Sequence, residues 1–385
     1  MAGVLRLSRR TRWAIPVGAL VVTGAVMAGS LISVAQASPG LPSRTPAQLL
    51  AQVADSVTPP LTGTVVETTS LGLPSLPGTA SPTSIASLLT GSHTVRVWYA
   101  SPRHFRLAVP EPLSETDVIA DGNTAWEWES TANAVTEYSL PAGAKAPQAA
   151  PTTAPLTPQQ AAQQVLAAVG PTTTVSVDSN VTVAGQPAYE LVLAPKDSRS
   201  LVGQVQIAID GKNGVPLRLQ VYARGASSPA FTVGYTSIQF VTPAPADLTF
   251  TPPPGAKVSQ VNLSQPSGPD RMQGDVTTIG SGWLTVLDLP GTALTAPSGS
   301  GSGGSGSGDS ASGDSASGDS AAVLNALLAS ATPVSGAWGS GRLLRTSLVS
   351  VLITDAGRTF VGAVQPSVLY AAAGRAVTPA QANTP

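Results

Sequence analysis

Cysteine is absent from all 385 residues, which excludes disulfides, thiolate metal sites, cysteine nucleophiles and a lipid-modified N-terminal cysteine together. Histidine is almost absent too: only His93 and His104 occur. A Ser-His-Asp set would have to be built on one of these two, and no Gly-x-Ser-x-Gly elbow accompanies either. Both are expected to be polar residues on a strand surface or a cavity rim, and the chain is not expected to be an enzyme. Charge is scarce, at 11% of residues and a formal net charge of −1. No basic stripe exists to follow a phosphate backbone, so the composition argues against nucleic acid as a partner. Only Lys145, Lys196, Lys212 and Lys257 are lysines, and with abundant Ala, Gly, Pro and Thr this is the coding bias of a high-GC genome such as an actinobacterium's.

What is present begins with an export segment. Arg6, Arg9, Arg10 and Arg12 precede an apolar run from Ala14 to Ala35, long for a signal peptide core and sufficient for a bilayer of roughly 30 Å hydrocarbon. Cleavage after Ala35-Gln-Ala37, which satisfies the small-x-small rule, and retention as an anchor both remain open. In either case the body lies outside the cytoplasmic membrane. Without the four arginines, 16 cationic and 21 acidic side chains remain, a formal charge of −5.

The body alternates apolar and polar residues over short stretches, the period of half-buried strands. Val205, Ile207 and Ile209 alternate up to Asp210-Gly-Lys-Asn-Gly214, and Leu217, Leu219 and Val221 resume beyond it, a β-hairpin with one aliphatic face. Phe231, Val233 and Tyr235 form the next strand, after which the phase shifts to Ile238 and Phe240, so a bulge is expected near Thr236 or Ser237. Earlier, Val97, Phe105 and Leu107 belong to another hairpin, and Trp126 and Trp128 share one face of a strand entered through Asp121-Gly-Asn123. Thr45-Pro46 and Thr157-Pro158 read as N-caps of two short helices. After Val258 come one or two strands around Trp283, Leu284 and Val286, a helix from Ala321 to Leu328, and strands at 347–353 and 359–364. Between them, three copies of Ser-Gly-Asp-Ser-Ala begin at Ser307, Ser312 and Ser317. Their aspartates recur every five residues, whereas calcium-binding repeats use a period of about nine, so a solvated linker is expected.

Two of these patterns carry a family resemblance. Ile209-Asp-Gly-Lys-Asn-Gly-Val-Pro-Leu-Arg-Leu219, followed by Phe231 to Phe240 and Phe250-Thr-Pro-Pro-Pro-Gly-Ala256, resembles the closing strands of the LolA/RseB superfamily. Pro102-Arg-His-Phe-Arg106 followed by Asp121-Gly-Asn-Thr-Ala-Trp-Glu-Trp-Glu129 is similar to an earlier signature of the same outer-membrane lipoprotein carrier-like proteins. The resemblance spans about residues 45–258 and implies a mainly β fold with a few helices: a half-open antiparallel β-barrel with helices across its mouth, which holds lipid or lipoprotein acyl chains. A small β-rich C-terminal domain, 270–296 and 321–376, interrupted by a flexible insertion at 297–320, would follow. By the resemblance, the aliphatic faces named above are candidate cavity lining: Val97, Phe105, Leu107, Trp126, Trp128, Val205, Ile207, Ile209, Leu217, Leu219, Val221, Phe231, Val233 and Tyr235. Alternation reports only that a face avoids water, so open cavity and filled core both stay open at this point. The resemblance also implies an alternative partner, the extracytoplasmic part of a membrane anti-sigma factor. No cofactor is implied. A cell-envelope protein that binds no lipid is the third reading.

Overall fold

The computed structural model describes residues 40–73, 90–139, 171–262, 276–290, 327 and 329–377. The N-terminal apolar run, the helix expected after Thr157, the Ser/Gly/Asp insertion and most of the helix expected at 321–328 lie outside them. Among the described residues, no helix is long and apolar enough to cross a membrane.

The chain enters through α1 (Pro46–Asp55), where Thr45 and Gln48 form a reciprocal capping box and Pro46 opens the first turn. Six antiparallel strands follow: β1 (Leu61–Ser70), β2 (Thr90–Ser101), β3 (His104–Pro110), β4 (Glu115–Asp121), β5 (Thr124–Glu129) and β6 (Ala134–Ser139). Beyond residue 170 come β7 (Thr173–Val177), β8 (Val181–Val183), β9 (Gln186–Pro195), β10 (Val202–Asp210), β11 (Pro216–Ala223) and β12 (Pro229–Gln239). A connection carrying the short α2 (Pro245–Leu248) leads to β13 (Lys257–Asn262).

These strands form one sheet in the order β13-β6-β5-β4-β3-β2-β1-β12-β11-β10-β9-β7, with β8 continuing the β7 edge along β9. Every pairing is antiparallel except β13 on β6. The two edges, β13 and β7, do not pair with each other, so the sheet curls without closing: a half-open barrel. At one end the curl brings β8 against β12, and Val183, Ala188 and Leu217 pack with Leu61 and Ile238.

Local chemistry sets the register. Asp210 Oδ1 accepts from Lys212 N and Asn213 N, and Gly214 takes φ +72° to turn the chain back into β11. The expected bulge is present. Thr64 pairs with Ser237 and Val65 with Tyr235, leaving Thr236 unpaired and shifting the apolar phase from Tyr235 to Ile238. At Gly63 any Cβ would lie 2.7 Å from the Ser237 carbonyl oxygen and 3.0 Å from the Tyr235 ring, so glycine there lets that ring lie across β1.

A second sheet follows in the order β14-β15-β19-β18-β17-β16, from β14 (Thr277–Ile279), β15 (Val286–Pro290), β16 (Thr332–Gly336), β17 (Gly339–Arg345), β18 (Ser350–Thr354) and β19 (Arg358–Gly362). The helix α3 (Pro366–Val377) covers it, burying Leu369, Ala372 and Ala373 on Val286, Leu343, Leu352 and Phe360. Two expected strand stretches are turns instead. Trp283 and Leu284 lie in a single 3-10 turn, Gly282–Leu284, entered through Gly280 and Gly282 at positive φ. Residues 346–349 form a turn stapled by Thr346 Oγ1, which accepts from Leu348 N and Val349 N. The physical reason is the same for both: Trp283 and Leu348 leave the small sheet to pack on the large one.

The two sheets are tied through the main chain. Leu201 N donates to Ala363 O at 2.9 Å, Gln365 N to Arg199 O at 2.7 Å, Ser347 N to Leu71 O at 2.9 Å, and Ser200 bridges Val364.

Candidate functional site

Strand partners that face each other share a face, so the register sorts every side chain of the large sheet onto one of two sides. The inner face is the one on which α1 packs. Leu49, wholly buried, meets Tyr189, Leu191 and Ile209, with Val175 and Val177 beside them. From Ile209 the same face runs through Ile207 and Leu219 to Val233, through Val221 to Phe231, and from Tyr235 across Val65 to Val95. It continues through Val97 to Leu107 and Val118, and through Tyr99 to Phe105 and Ala120.

The fourteen candidate residues separate into three sets. Ile209 is core beneath α1, Leu217 is core where β8 meets β12, and Val205 and Val221 are buried under Trp283 and Leu348 of the second module. These four belong to filled packing, not to an open lining. Ile207, Leu219, Phe231, Val233, Tyr235, Val97, Phe105 and Leu107 remain on the inner face and are half-buried. Trp126 and Trp128 do not belong with them. Val118, inner, pairs with Glu127, whereas Trp126 pairs with Ile119 and Trp128 with Asp117, so both indoles lie on the outer face. There the β12–β13 connection crosses the sheet, and the Phe250 ring packs at 6.0 Å from Trp126 and 6.4 Å from Trp128. Sequence alternation shows that the two tryptophans share a face; it cannot say which, because that depends on register accumulated over the six strands between β10 and β5.

Between the two covered ends, a half-buried apolar band runs from β3 to β11; buried Val95 and Val109 interrupt it, and Ile207, Leu219 and Phe231 pack at the edge of the Trp283 cluster. One end of the band is polar and was not anticipated. Glu67 and His93 pair across β1 and β2, both nearly buried, and Thr69 Oγ1 donates to Glu67 Oε1 at 3.0 Å. Burial pushes the Glu67 carboxyl above its ordinary pKa, against the Thr69 hydrogen bond and the His93 charge, which lower it. Across β12, Glu67 faces Val233 and Thr69 faces Phe231. A Glu and a Thr two apart in a β-branched run were the available signal, and they read as ordinary surface alternation.

The outer face also holds an electrostatic cluster. Arg106 ion-pairs with Asp117, lies 3.7 Å from Glu115, and stacks its guanidinium 5.6 Å from the Trp98 ring centroid. Desolvation raises the Asp117 pKa to about 6, although Arg106 opposes the rise.

The structure does assemble a serine, a histidine and an aspartate. Ser101 Oγ lies 2.9 Å from His104 Nδ1, and His104 Nε2 lies 3.4 Å from Asp121 Oδ1, at the exposed end of the β2–β3 hairpin. The His104 and Asp121 side chains are 50% and 47% exposed. Oxyanion stabilisation depends on excluding water, which so open a position does not do, and the geometry is that of a stapled turn. Among the described residues, no group of three or more His, Asp or Glu side chains is placed to hold a metal ion.

Comparison with known proteins gives similarity at the level of structure alone. No family model matches the chain, and no curated protein matches it. Among solved structures, it is similar to the Pseudomonas aeruginosa MucA/MucB complex, at 15% identity and TM-score 0.40 over 85% of this chain and 95% of that one. It is also similar to an uncharacterised conserved protein of Thermus thermophilus, at 14% identity and TM-score 0.31 over 56% of this chain and 98% of that one. A LolA superfamily protein from Nitrosomonas europaea matches at 11% identity and TM-score 0.19, over 54% of this chain and 99% of that one.

Proposed function

We propose that this chain is a binding protein, not an enzyme, that works outside the cytoplasmic membrane and takes an acyl chain of a lipid or lipoprotein onto the inner face of its half-open barrel. One observation carries the reading: Val97, Phe105, Leu107, Phe231, Val233 and Tyr235 stay half-buried on the inner face, although Val97, Leu107, Phe231 and Tyr235 also pack on neighbouring buried clusters. A folded chain normally covers such an apolar band, and leaving it partly open is what a ligand would offset. Withdrawing an acyl chain from a bilayer costs about 0.8 kcal/mol per CH₂, so a chain of about 15 carbons needs on the order of 12 kcal/mol of replacement contacts. At about 25 cal/mol per Å² that is several hundred Å² of apolar lining, within reach of a curved sheet this wide. The export segment and the sequence resemblance support the location outside the membrane.

A second reading, a sensor that docks the extracytoplasmic part of a membrane anti-sigma factor, is favoured by the second module. A carrier has no evident need of an appended sheet held to its barrel by main-chain hydrogen bonds.

The test is uptake of a pyrene-labelled diacylglycerol, a neutral two-chain probe, by residues 38–385; the described fold begins at residue 40. Leu107→Asp or Val233→Asp should weaken uptake about a hundredfold, because each sets a carboxylate against the acyl chain, with the thermal melt nearly unchanged. Unfolding of both variants would show a filled core, and unchanged uptake would put the ligand elsewhere.

A further inference from the structure

A cleft of about 710 Å³ opens where the two modules meet, within the roughly 300–1,000 Å³ of small-molecule sites. Its floor is apolar: Ile279 beside the 3-10 turn, Leu284 in it, and Val368 and Ala371 on α3. Its rim is cationic. Lys196 and Arg199 come from the β9–β10 loop of the barrel, and Arg375 from the last turn of α3. The one carboxylate among the lining residues, Asp197, is bonded to Arg199 through Nε and Nη2 and held down to a pKa of about 2, so it is ionised throughout the neutral range. Three cations against one carboxylate leave the cleft at +2 on a chain whose formal net charge is −1.

The cleft is also preformed. Gln365 N to Arg199 O, Leu201 N to Ala363 O and Gln365 Nε2 to Ser198 O fix the loop that carries the cations against the strand end that precedes α3. Holding the walls in place before binding removes an ordering cost from the ligand. Pro171 and Thr172 line the cleft on the barrel side, and the Trp283 indole stands between cleft and band: it lines the cleft, donates its Nε1 hydrogen to Thr173 Oγ1 at 2.7 Å, and packs on Val205 and Val221 of the inner face. The cleft and the apolar band are thus separate spaces, and this site goes beyond the barrel reading.

We propose that this cleft binds an anionic single-chain amphiphile, its head group held by Lys196, Arg199 and Arg375 and its tail laid along the apolar floor. The charge excess selects an anion, and the apolar floor selects a ligand with a hydrocarbon body over a free inorganic ion.

The test is photo-crosslinking of residues 38–385 with a diazirine-bearing dodecanoate below its micelle concentration, with adducts mapped by mass spectrometry. Adducts are expected at 279–286 and on α3, suppressed by unlabelled dodecanoate but not by dodecyltrimethylammonium. A Lys196→Glu, Arg375→Glu variant should bind about tenfold more weakly with an unchanged melt, since both side chains are exposed at the rim. Leu107→Asp, on the barrel band, should leave these adducts in place, so failure of the cleft and failure of the barrel reading give different patterns. Adducts confined to 97–107 or 231–235, no adducts at all, or equal competition by the cationic amphiphile would each overturn the proposal. So would displacement of the probe by a peptide of the chain's own Ser-Gly-Asp-Ser-Ala repeat, which would give the cleft to that segment.

Discussion

Asp117 is wholly buried on the outer face, and its ion pair with Arg106 does not satisfy it. Oδ1 has no hydrogen-bond partner among the described residues, and neither do Arg106 Nε and the nearby Trp128 Nε1. Desolvation therefore outweighs the neighbouring cation and lifts the carboxyl to about 6. The sign follows from linkage. A carboxyl whose pKa is raised in the folded state binds its proton more tightly there than in the unfolded chain, so its stabilising share is full below about 4 and is lost as pH rises through about 6. The protein should be less stable at pH 7.5 than at pH 5 by this contribution. Arg106→Leu strands the ionised carboxylate, so it should cost about 3 kcal/mol at pH 8 and clearly less at pH 5, where Asp117 takes up a proton. Urea melts of both proteins at the two pH values read this directly, and a penalty independent of pH would mean that Asp117 titrates normally.

The helix α1 is the element that closes one end of the inner face, and its two supports differ in kind. Thr45→Ala removes the reciprocal cap, worth about 1 kcal/mol. Leu49→Ala empties a fully buried site against Tyr189, Leu191 and Ile209 and should cost about 3 kcal/mol. Denaturant melts that rank the two the other way would mean that α1 is held by its cap and not by the barrel. At this scale the sequence was legible wherever a local signal exists: α1 by its Thr-Pro start, β10 and β11 by alternation around Asp210 to Gly214, and the β12 bulge by a change of phase. The helix α3 was missed although Pro366 precedes Val368, Leu369, Ala372 and Ala373 at helical spacing, because a run of alanines after a strand carries little contrast between faces. Trp283 and Leu348 read as strand residues, since nothing local tells a residue that packs on another sheet from one that packs on its own.

At the scale of the molecule, the half-open sheet with a second, smaller sheet beside it matches the architecture read from the sequence. The candidate site was legible as a set of apolar faces and not as a surface. Alternation cannot distinguish Ile209 under α1, or Val221 under Trp283, from Val233 in the half-buried band, because all three avoid water equally well; the difference lies in what chain folds back over each. Nor could it place Trp126 and Trp128 on the outer side. The account as a whole rests on the band being a binding surface, and the most direct measurement is native mass spectrometry of residues 38–385 purified from a bacterial host, with solvent extraction and identification of what is released. The account predicts a stoichiometric acylated adduct that Leu107→Asp abolishes. A bare protein mass under mild ionisation, with no uptake of added diacyl lipid, would contradict it.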